Sequence, residues 1–254
     1  MKIATWNVNS LRVRLTHVLG WLDRERPDVL ALQETKLKDE DFPSEAFTEC
    51  GYVATFSGQP TYNGVAVLSR AEPTDVKTEI AGFTDSQRRV LAASVDGMRL
   101  WNLYVPNGQR LDSDKYRYKL EWLAALCKDL RSELARHGEL LVLGDFNIAP
   151  EDRDVHDPAA WEGHVLCSAP ERAALAQIEA LGLQDLFRRF DQPEKSFSWW
   201  DYRAGAFRRN QGLRIDLVLG SRALAERCSA CRIDVEPRRL ERPSDHVPVV
   251  AEFA

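Results

Sequence analysis

Hydrophobic residues in this chain recur with two periods, and the polar residues that interrupt them fall at repeated places. Short apolar runs, several of them β-branched, read as strands near residues 2–8, 28–33, 52–57, 63–69, 76–80, 90–96, 99–105, 139–145, 197–200, 214–219, 231–235 and 247–253. Leu11, Leu15, Val18, Leu19 and Leu22 recur at helical spacing and predict an amphipathic helix from Leu11 to Glu25. A longer helix is expected from Asp114 to His137, stopped by Gly138. Ser168 and Glu171 have capping-box spacing ahead of a helix over Ala173 to Leu181, with Gly182 as its stop. Many strands with few helices between them predict two packed sheets with helices outside, an α/β sandwich. No linker, low-complexity tract or repeat divides the sequence, so residues 1–254 read as a single domain.

Polar residues close several of these strands. Glu139-Leu140-Leu141-Val142-Leu143-Gly144-Asp145-Phe146-Asn147 is an apolar run that ends on a glycine, an acid and an amide. The carboxyl end of a buried strand is where open α/β sheets place ligands. The spacing of two puts Asp145 and Asn147 on one face of extended chain. An acid and a carboxamide together suit a hard cation, a water or a phosphate. The opening strand likewise ends on Asn7 and Asn9, and the next on Glu34. The strand-helix-strand order between them implies a parallel pair, which brings Asn7 and Glu34 close together. Asp216 lies in the apolar middle of Leu213 to Leu219 and needs a partner. His246, in Ser244-Asp245-His246 before the last strand, is the natural one, because a carboxylate orients an imidazole and holds its proton. Each residue alone has a plainer reading as a turn former or a satisfied core acid. Their joint recurrence at strand ends is harder to account for that way.

At these residues the chain resembles the exonuclease III family of DNA repair nucleases, within the endonuclease/exonuclease/phosphatase superfamily. The resemblance rests on an ordered set: Trp6-Asn7-Val8-Asn9, Leu32-Gln33-Glu34-Thr35-Lys36, Tyr62-Asn63-Gly64-Val65-Ala66, Tyr104-Val105-Pro106-Asn107-Gly108, Gly144 to Pro150, Gly212-Leu213-Arg214-Ile215-Asp216 and Ser244-Asp245-His246. It runs from the first strand to the last. It implies a four-layer α/β sandwich of two mixed sheets flanked by helices, and metal-dependent cleavage of phosphodiesters in duplex DNA. By the same resemblance, Glu34 is the principal Mg²⁺ ligand, with Mn²⁺ able to substitute. Asn7, Asp145, Asn147, Asp245 and His246 would complete the metal surroundings. Asp145 would activate the attacking water, Asn147 would steady the phosphate, and Tyr104 would reach a phosphate oxygen or the nucleophile. Asp216 would orient His246 against the scissile phosphate. Which of Asp145 and His246 accepts the proton stays open. Arg89 would meet DNA, while Trp199, Leu213 and Ile215 would line an apolar pocket for a sugar that has lost its base; Arg203 is a candidate DNA contact through the basic cluster it belongs to. Two departures matter. Leu166 stands where relatives that cut at abasic sites often carry a small residue, so it is expected to narrow the pocket and favour work at 3′ ends. Ser86-Gln87-Arg88-Arg89 replaces an acid and a glycine frequent in relatives.

Composition adds limits. Apolar content of 44% and charged content of 29% are ordinary for a globular protein. No apolar run approaches membrane-spanning length, and the start lacks a signal pattern, so a cytoplasmic monomer without a membrane partner is expected. The five cysteines are scattered, and Cys228-Ser229-Ala230-Cys231 has no second pair, which argues against zinc. A net charge of −5 argues against indiscriminate nucleic-acid binding, yet local cations can still form a rim. Three clusters are candidates: Arg88 and Arg89; Lys115, Arg117 and Lys119; and Arg203, Arg208, Arg209 and Arg214. The expected partners are duplexes with abasic, 3′-blocked or recessed ends. Two other functions compete: a phosphatase of small phosphoesters, and a non-catalytic nucleic-acid-binding relative. The Trp199 to Asp216 segment argues against the first. The intact set of Glu34, Asp145, Asn147, Asp216 and His246 argues against the second.

Overall fold

The computed structural model describes residues 1–254. Two strand-helix-strand units organise it. In the first, β1 (Lys2–Asn7) and β2 (Val29–Gln33) run parallel, joined by α1 (Leu11–Glu25). In the second, β7 (Met98–Tyr104) and β8 (Leu140–Asp145) run parallel, joined by α3 (Asp114–Leu134). Antiparallel strands extend both pairs. The first six-stranded sheet adds β3 (Val53–Ser57), β4 (Val65–Ser69), β11 (Cys228–Ile233) and β12 (Val249–Phe253), in the order β11-β12-β1-β2-β4-β3. The second adds β5 (Thr74–Lys77), β6 (Val90–Val95), β9 (Gln184–Asp185) and β10 (Asp216–Gly220), in the order β5-β6-β7-β8-β10-β9. Short helices α2 (Ser44–Glu49), α4 (Pro158–Trp161) and α6 (Arg222–Arg227) and the longer α5 (Ala169–Glu179) complete the chain.

Alternation along each strand builds the layers. Ile3, Val29, Ala31, Val65 and Val67 of the first sheet meet Leu91, Leu100, Leu141, Leu143 and Val218 of the second in one shared core. The opposite faces are covered by helices. Ala4, Trp6, Leu30 and Leu32 pack on Val18, Trp21 and Leu22 of α1. Trp101, Leu103, Val142 and Leu217 pack on Trp122, Leu126 and Leu130 of α3 and Leu175 of α5. Helix, sheet, sheet, helix is the expected four-layer order. Just beneath the strand ends a polar brace joins the sheets. The Asn102 amide donates to the carbonyls of Leu32 and Ala66 at 2.9 and 2.8 Å, and Gln33 donates to Asn102 at 2.7 Å. Without such partners a buried amide would destabilise the fold by its full desolvation.

Several expected boundaries move. The stretch 197–200 is no ladder strand; Trp199 forms isolated bridges to Leu213 and to His246, tying two other segments together. The edge strand expected at 76–80 pairs instead at Thr74–Lys77, and most of it is exposed, so burial gave it no pattern. α5 begins directly after its cap at Ser168, four residues earlier than the apolar spacing suggests. α3 ends at Leu134 instead of His137. The short elements α2, α4, α6 and β9 carry too few residues to show a period. No helix is long and apolar enough to cross a membrane.

Candidate active site

Parallel pairing sends the ends of β1, β2, β7 and β8 to one edge of the sandwich, and the polar residues arrive there together. Asn7 Nδ2 donates to Glu34 Oε1 and to Asp145 Oδ2, both at 2.9 Å. One amide therefore holds an acid from each sheet. Asp145 lies directly across from Asp216 in the β8–β10 ladder. Gly144 permits this close packing, since a Cβ there would lie 2.0 Å from the Leu103 carbonyl oxygen. Asp145 Oδ1 accepts from the Asn147 backbone N–H at 2.9 Å, and Asn147 Nδ2 donates to Val105 O at 3.0 Å. Glu34 (φ 52°) and Asn147 (φ 50°) both adopt left-handed backbone. Such conformations cost on the order of 1–3 kcal/mol each and persist where surroundings dictate them.

Behind this group stands the expected pair. His246 Nδ1 is 2.9 Å from Asp216 Oδ2, and its Nε2 faces Asp145 Oδ2 at 3.8 Å. Burial opposes a charged ring, but the carboxylates of Asp216 and Asp145 overcome it and push His246 up to about 10. Burial likewise raises Asp145, to about 7, against the attraction of His246. Tyr104 is kept a neutral phenol by burial and by the nearby Glu34 and Asp145. Its ring lies 4.6 Å under the Arg89 guanidinium.

Glu34, Asp145 and His246 offer ligand atoms that all lie within 4.8 Å of one another. Two converging carboxylates linked by one amide donor are the kind of oxygen set that a hard divalent ion stabilises. Asp245 lies outside that group. Its Oδ1 accepts from Asn9 Nδ2 at 2.9 Å and its Oδ2 from Trp199 Nε1 at 3.0 Å.

The residues match an endonuclease/exonuclease/phosphatase family model over residues 4–246. The chain belongs to that family. Exodeoxyribonuclease III of Haemophilus influenzae is 36% identical across the whole of both chains. The structure of the 3′ phosphatase NExo from Neisseria bound to a product DNA hairpin superimposes with a TM-score of 0.98 at 48% identity, covering 100% of this chain and 99% of that one. An AP endonuclease from Archaeoglobus fulgidus superimposes with a TM-score of 0.96 at 42% identity, with the same coverage. The exonuclease III branch is thus the right one, and the chain is a hydrolytic nuclease of a metal-dependent family.

The apolar residues assigned to substrate choice also gather, but into a packed cluster. Leu166, Leu213 and Ile215 are nearly inaccessible and pack with Ala149, Val155 and Cys167, while Trp199, Trp161 and Val165 border them. Leu166 is itself in left-handed backbone, at φ 77°. A cavity of about 450 Å³ opens beside Glu34 and Tyr104, and Arg89, Asn107 and Lys115 line it. Arg203 lies exposed, five and six residues before Arg208 and Arg209, and next to Tyr202, whose hydroxyl is 3.4 Å from Asn9 Nδ2.

Two members of the basic clusters are not surface cations. Arg214 is buried and pairs with Asp154 at 2.6 Å and Asp185 at 2.8 Å. Lys119 is fully buried against Glu171. Lys119 shares the buried face of α3 with Tyr116, Trp122 and Leu123, and Arg214 lies in chain that is buried on both sides, beside Leu213 and Ile215. Conversely, four residues in the site had drawn no role. Lys36 Nζ lies 2.9 Å from Glu34 Oε2 and donates to Asn9 Oδ1 at 2.5 Å. Asn107 donates to Asn147 Oδ1 at 3.1 Å. Ser198 Oγ donates to Asp216 Oδ2 at 2.6 Å and accepts from two backbone N–H groups. Asn9, Lys36 and Asn107 lie inside recognisable motifs. Ser198 carries no sequence signal, because its partner is reached only through the Trp199 bridges.

Proposed function

We propose that this protein is a Mg²⁺-dependent DNA repair phosphodiesterase of one domain, acting as a cytoplasmic monomer on duplex DNA. Its main activities are 3′-phosphate removal and 3′-to-5′ trimming at blocked or recessed ends, with cleavage at internal abasic sites the weaker one. The convergence of Glu34, Asp145 and His246 in front of Asp216 carries this reading.

Glu34 and Asp145 would hold the ion, with Asn7 fixing their separation and His246 standing beside it as a donor. When bound, a divalent ion neutralises the charge of the phosphodiester. Asp216 occupies His246 Nδ1, which leaves Nε2 to donate to a phosphate oxygen. Asp145 is then the group that takes the proton of the attacking water. Asn147 donates to Val105 O at 3.0 Å and to Asp145 Oδ2 at 3.2 Å and accepts from Asn107, so it would turn the donor now on Asp145 to the phosphoryl group, and Tyr104 would donate its phenol proton there. Mn²⁺ fits the same oxygen set. Arg89 and Arg203 would contact DNA backbone, and Trp199 would border the sugar pocket.

The activity balance follows from Leu166. With Leu213 and Ile215 it fills the space that an extruded, base-free sugar would need. A 3′-terminal phosphate reaches the acids without entering that space. The test is a product profile on three duplexes carrying an internal abasic analogue, a 3′-phosphate or a clean recessed end, each with Mg²⁺, Mn²⁺ or chelator. We expect 3′-phosphate removal to exceed abasic cleavage and both to stop with chelator. Equal rates on those two substrates would refute the narrowed pocket. Chelator-resistant activity would refute the metal assignment.

A further inference from the structure

Lys119 and Glu171 are both without exposed side-chain surface, and they meet at 2.5 Å. One stands on α3 and the other on the first turn of α5. A buried ion pair is retained only when its remaining hydrogen-bonding capacity is used. Here that capacity is directed at the site. Lys119 Nζ also donates to the carbonyls of Asn147 at 2.6 Å and Asn107 at 3.2 Å. Glu171 Oε1 also accepts from the Leu166 backbone N–H at 3.0 Å. Its Oε2 accepts from the Ser168 backbone N–H at 3.1 Å and from the Ser168 hydroxyl, which in turn is paired with Tyr116 Oη at 2.6 Å.

Three of the four backbone points held this way, at Asn107, Asn147 and Leu166, belong to loops that shape the site. Asn107 steadies the Asn147 amide, Asn147 follows the acid of β8, and Leu166 fills the apolar pocket. Leu166 O also accepts from Ala149 N at 2.8 Å, so the Asn147 and Leu166 loops are bonded to each other as well as to the pair. Both Asn147 and Leu166 have left-handed backbone, which asparagine adopts readily but leucine only where its surroundings hold it. An ammonium has three donors, enough to satisfy two carbonyls and a carboxylate at once. Gly108 leaves room for it: a Cβ there would lie 3.3 Å from Lys119 Cδ.

We infer that the Lys119–Glu171 pair is a positioning device that aims the Asn147 amide at the phosphate and keeps Leu166 across the pocket, so one buried pair sets both the rate and the choice between 3′-terminal and internal abasic substrates. Neither residue touches substrate. The inference rests on the nuclease reading above for its activity arm, but not for its structural arm.

The test uses the full chain with the neutral, similarly shaped pair Lys119→Gln/Glu171→Gln. Amide hydrogen exchange of the free protein is read at Leu166 and Ala149, with Val142 in β8 as the control. We expect exchange at the two loop amides to accelerate at least about tenfold while Val142 stays within about twofold. On the 3′-phosphate duplex, kcat should fall about tenfold or more with KM within about threefold, the pattern of an interaction made in the transition state. The ratio of abasic cleavage to 3′-phosphate removal should rise. Unchanged loop exchange, or equal acceleration at Val142, would overturn the inference, as would an unchanged ratio. If the double variant does not fold, Glu171→Gln alone carries the same readouts, since it weakens the Leu166 tether while leaving Lys119 in place. Absence of nuclease activity in the parent protein would sink the functional proposal, and the exchange arm would still decide the structural one.

Discussion

The polar cradle and the apolar pocket lie side by side, yet they are built on different principles. Asn7, Glu34, Asp145 and Asp216 stand at or next to the ends of paired strands, where the ladders fix the backbone, on both sides at Asp145. The pocket is closed from loops: Leu166 comes from the segment between α4 and α5, and Leu213 from the approach to β10. The two regions share one stretch of extended chain. Ile215 faces the pocket and Asp216, one residue on, faces His246. Chemistry that must be placed to within tenths of an ångström is entrusted to the sheets. On the proposed reading, substrate choice is set from a loop, by Leu166, instead of from the sheets.

Removing one acid from the cradle gives the largest expected effect. Asp145→Asn is nearly isosteric, so the fold should hold, but the proposed general base is gone. Steady-state rates on a 3′-phosphate duplex should fall about 10²- to 10⁴-fold. Activity within a few-fold of the parent would transfer the proton-acceptor role elsewhere. Asp216→Asn asks less. The ring of His246 keeps a hydrogen-bond partner but loses the charge that holds its proton, and a carboxylate in that position is typically worth about 10- to 100-fold. A loss as large as that of Asp145→Asn would mean that Asp216 meets the reacting groups directly.

The same contrast accounts for what the sequence made legible. Strand ends announce themselves, because an apolar run that stops abruptly on an acid delivers that acid to the edge of a sheet, and the strand-helix-strand order brings Asn7 to Glu34 by handedness alone. The pairing of Asp216 with His246 followed from the cost of a lone buried carboxylate. Loop geometry left no comparable trace. Phe197 to Trp200 looked like a strand because its aromatics are buried, but its hydrogen bonds go to two different segments. Lys119 and Arg214 looked like surface cations because a charge pattern does not reveal that its partner is an acid 52 or 60 residues away. Ser198 is invisible for the same reason.

Leu166→Gly tests the pocket side. Removing a buried leucine costs about 2–5 kcal/mol. Relief of its left-handed backbone offsets about 1–2 kcal/mol of that. The variant should therefore be less stable than the parent by about 1–3 kcal/mol in a denaturant titration, with the sheets intact. Cleavage of the internal abasic duplex relative to 3′-phosphate removal should rise about tenfold or more, the usual worth of steric exclusion by one side chain. If the ratio stays fixed while stability falls, the cluster around Leu213 is plain core, and the distinction between cradle and pocket loses its functional half.

The smallest effect is expected where neither strand ends nor buried contacts are involved. Arg203 is exposed and makes no ion pair with a neighbouring acid, so its charge is available to a phosphate but poorly fixed. Neutralising one phosphate releases about one counterion, so Arg203→Ala should lower the slope of log affinity against log salt by about one unit, measured by fluorescence anisotropy on nicked duplex. Rates at saturating DNA should change less than about twofold, because the interaction is equally strong before and during reaction. A kcat loss beyond that would place this loop in the transition state. It would also make the exposed arginines a third region, organised neither by strand ends nor by packing, that shares in the chemistry.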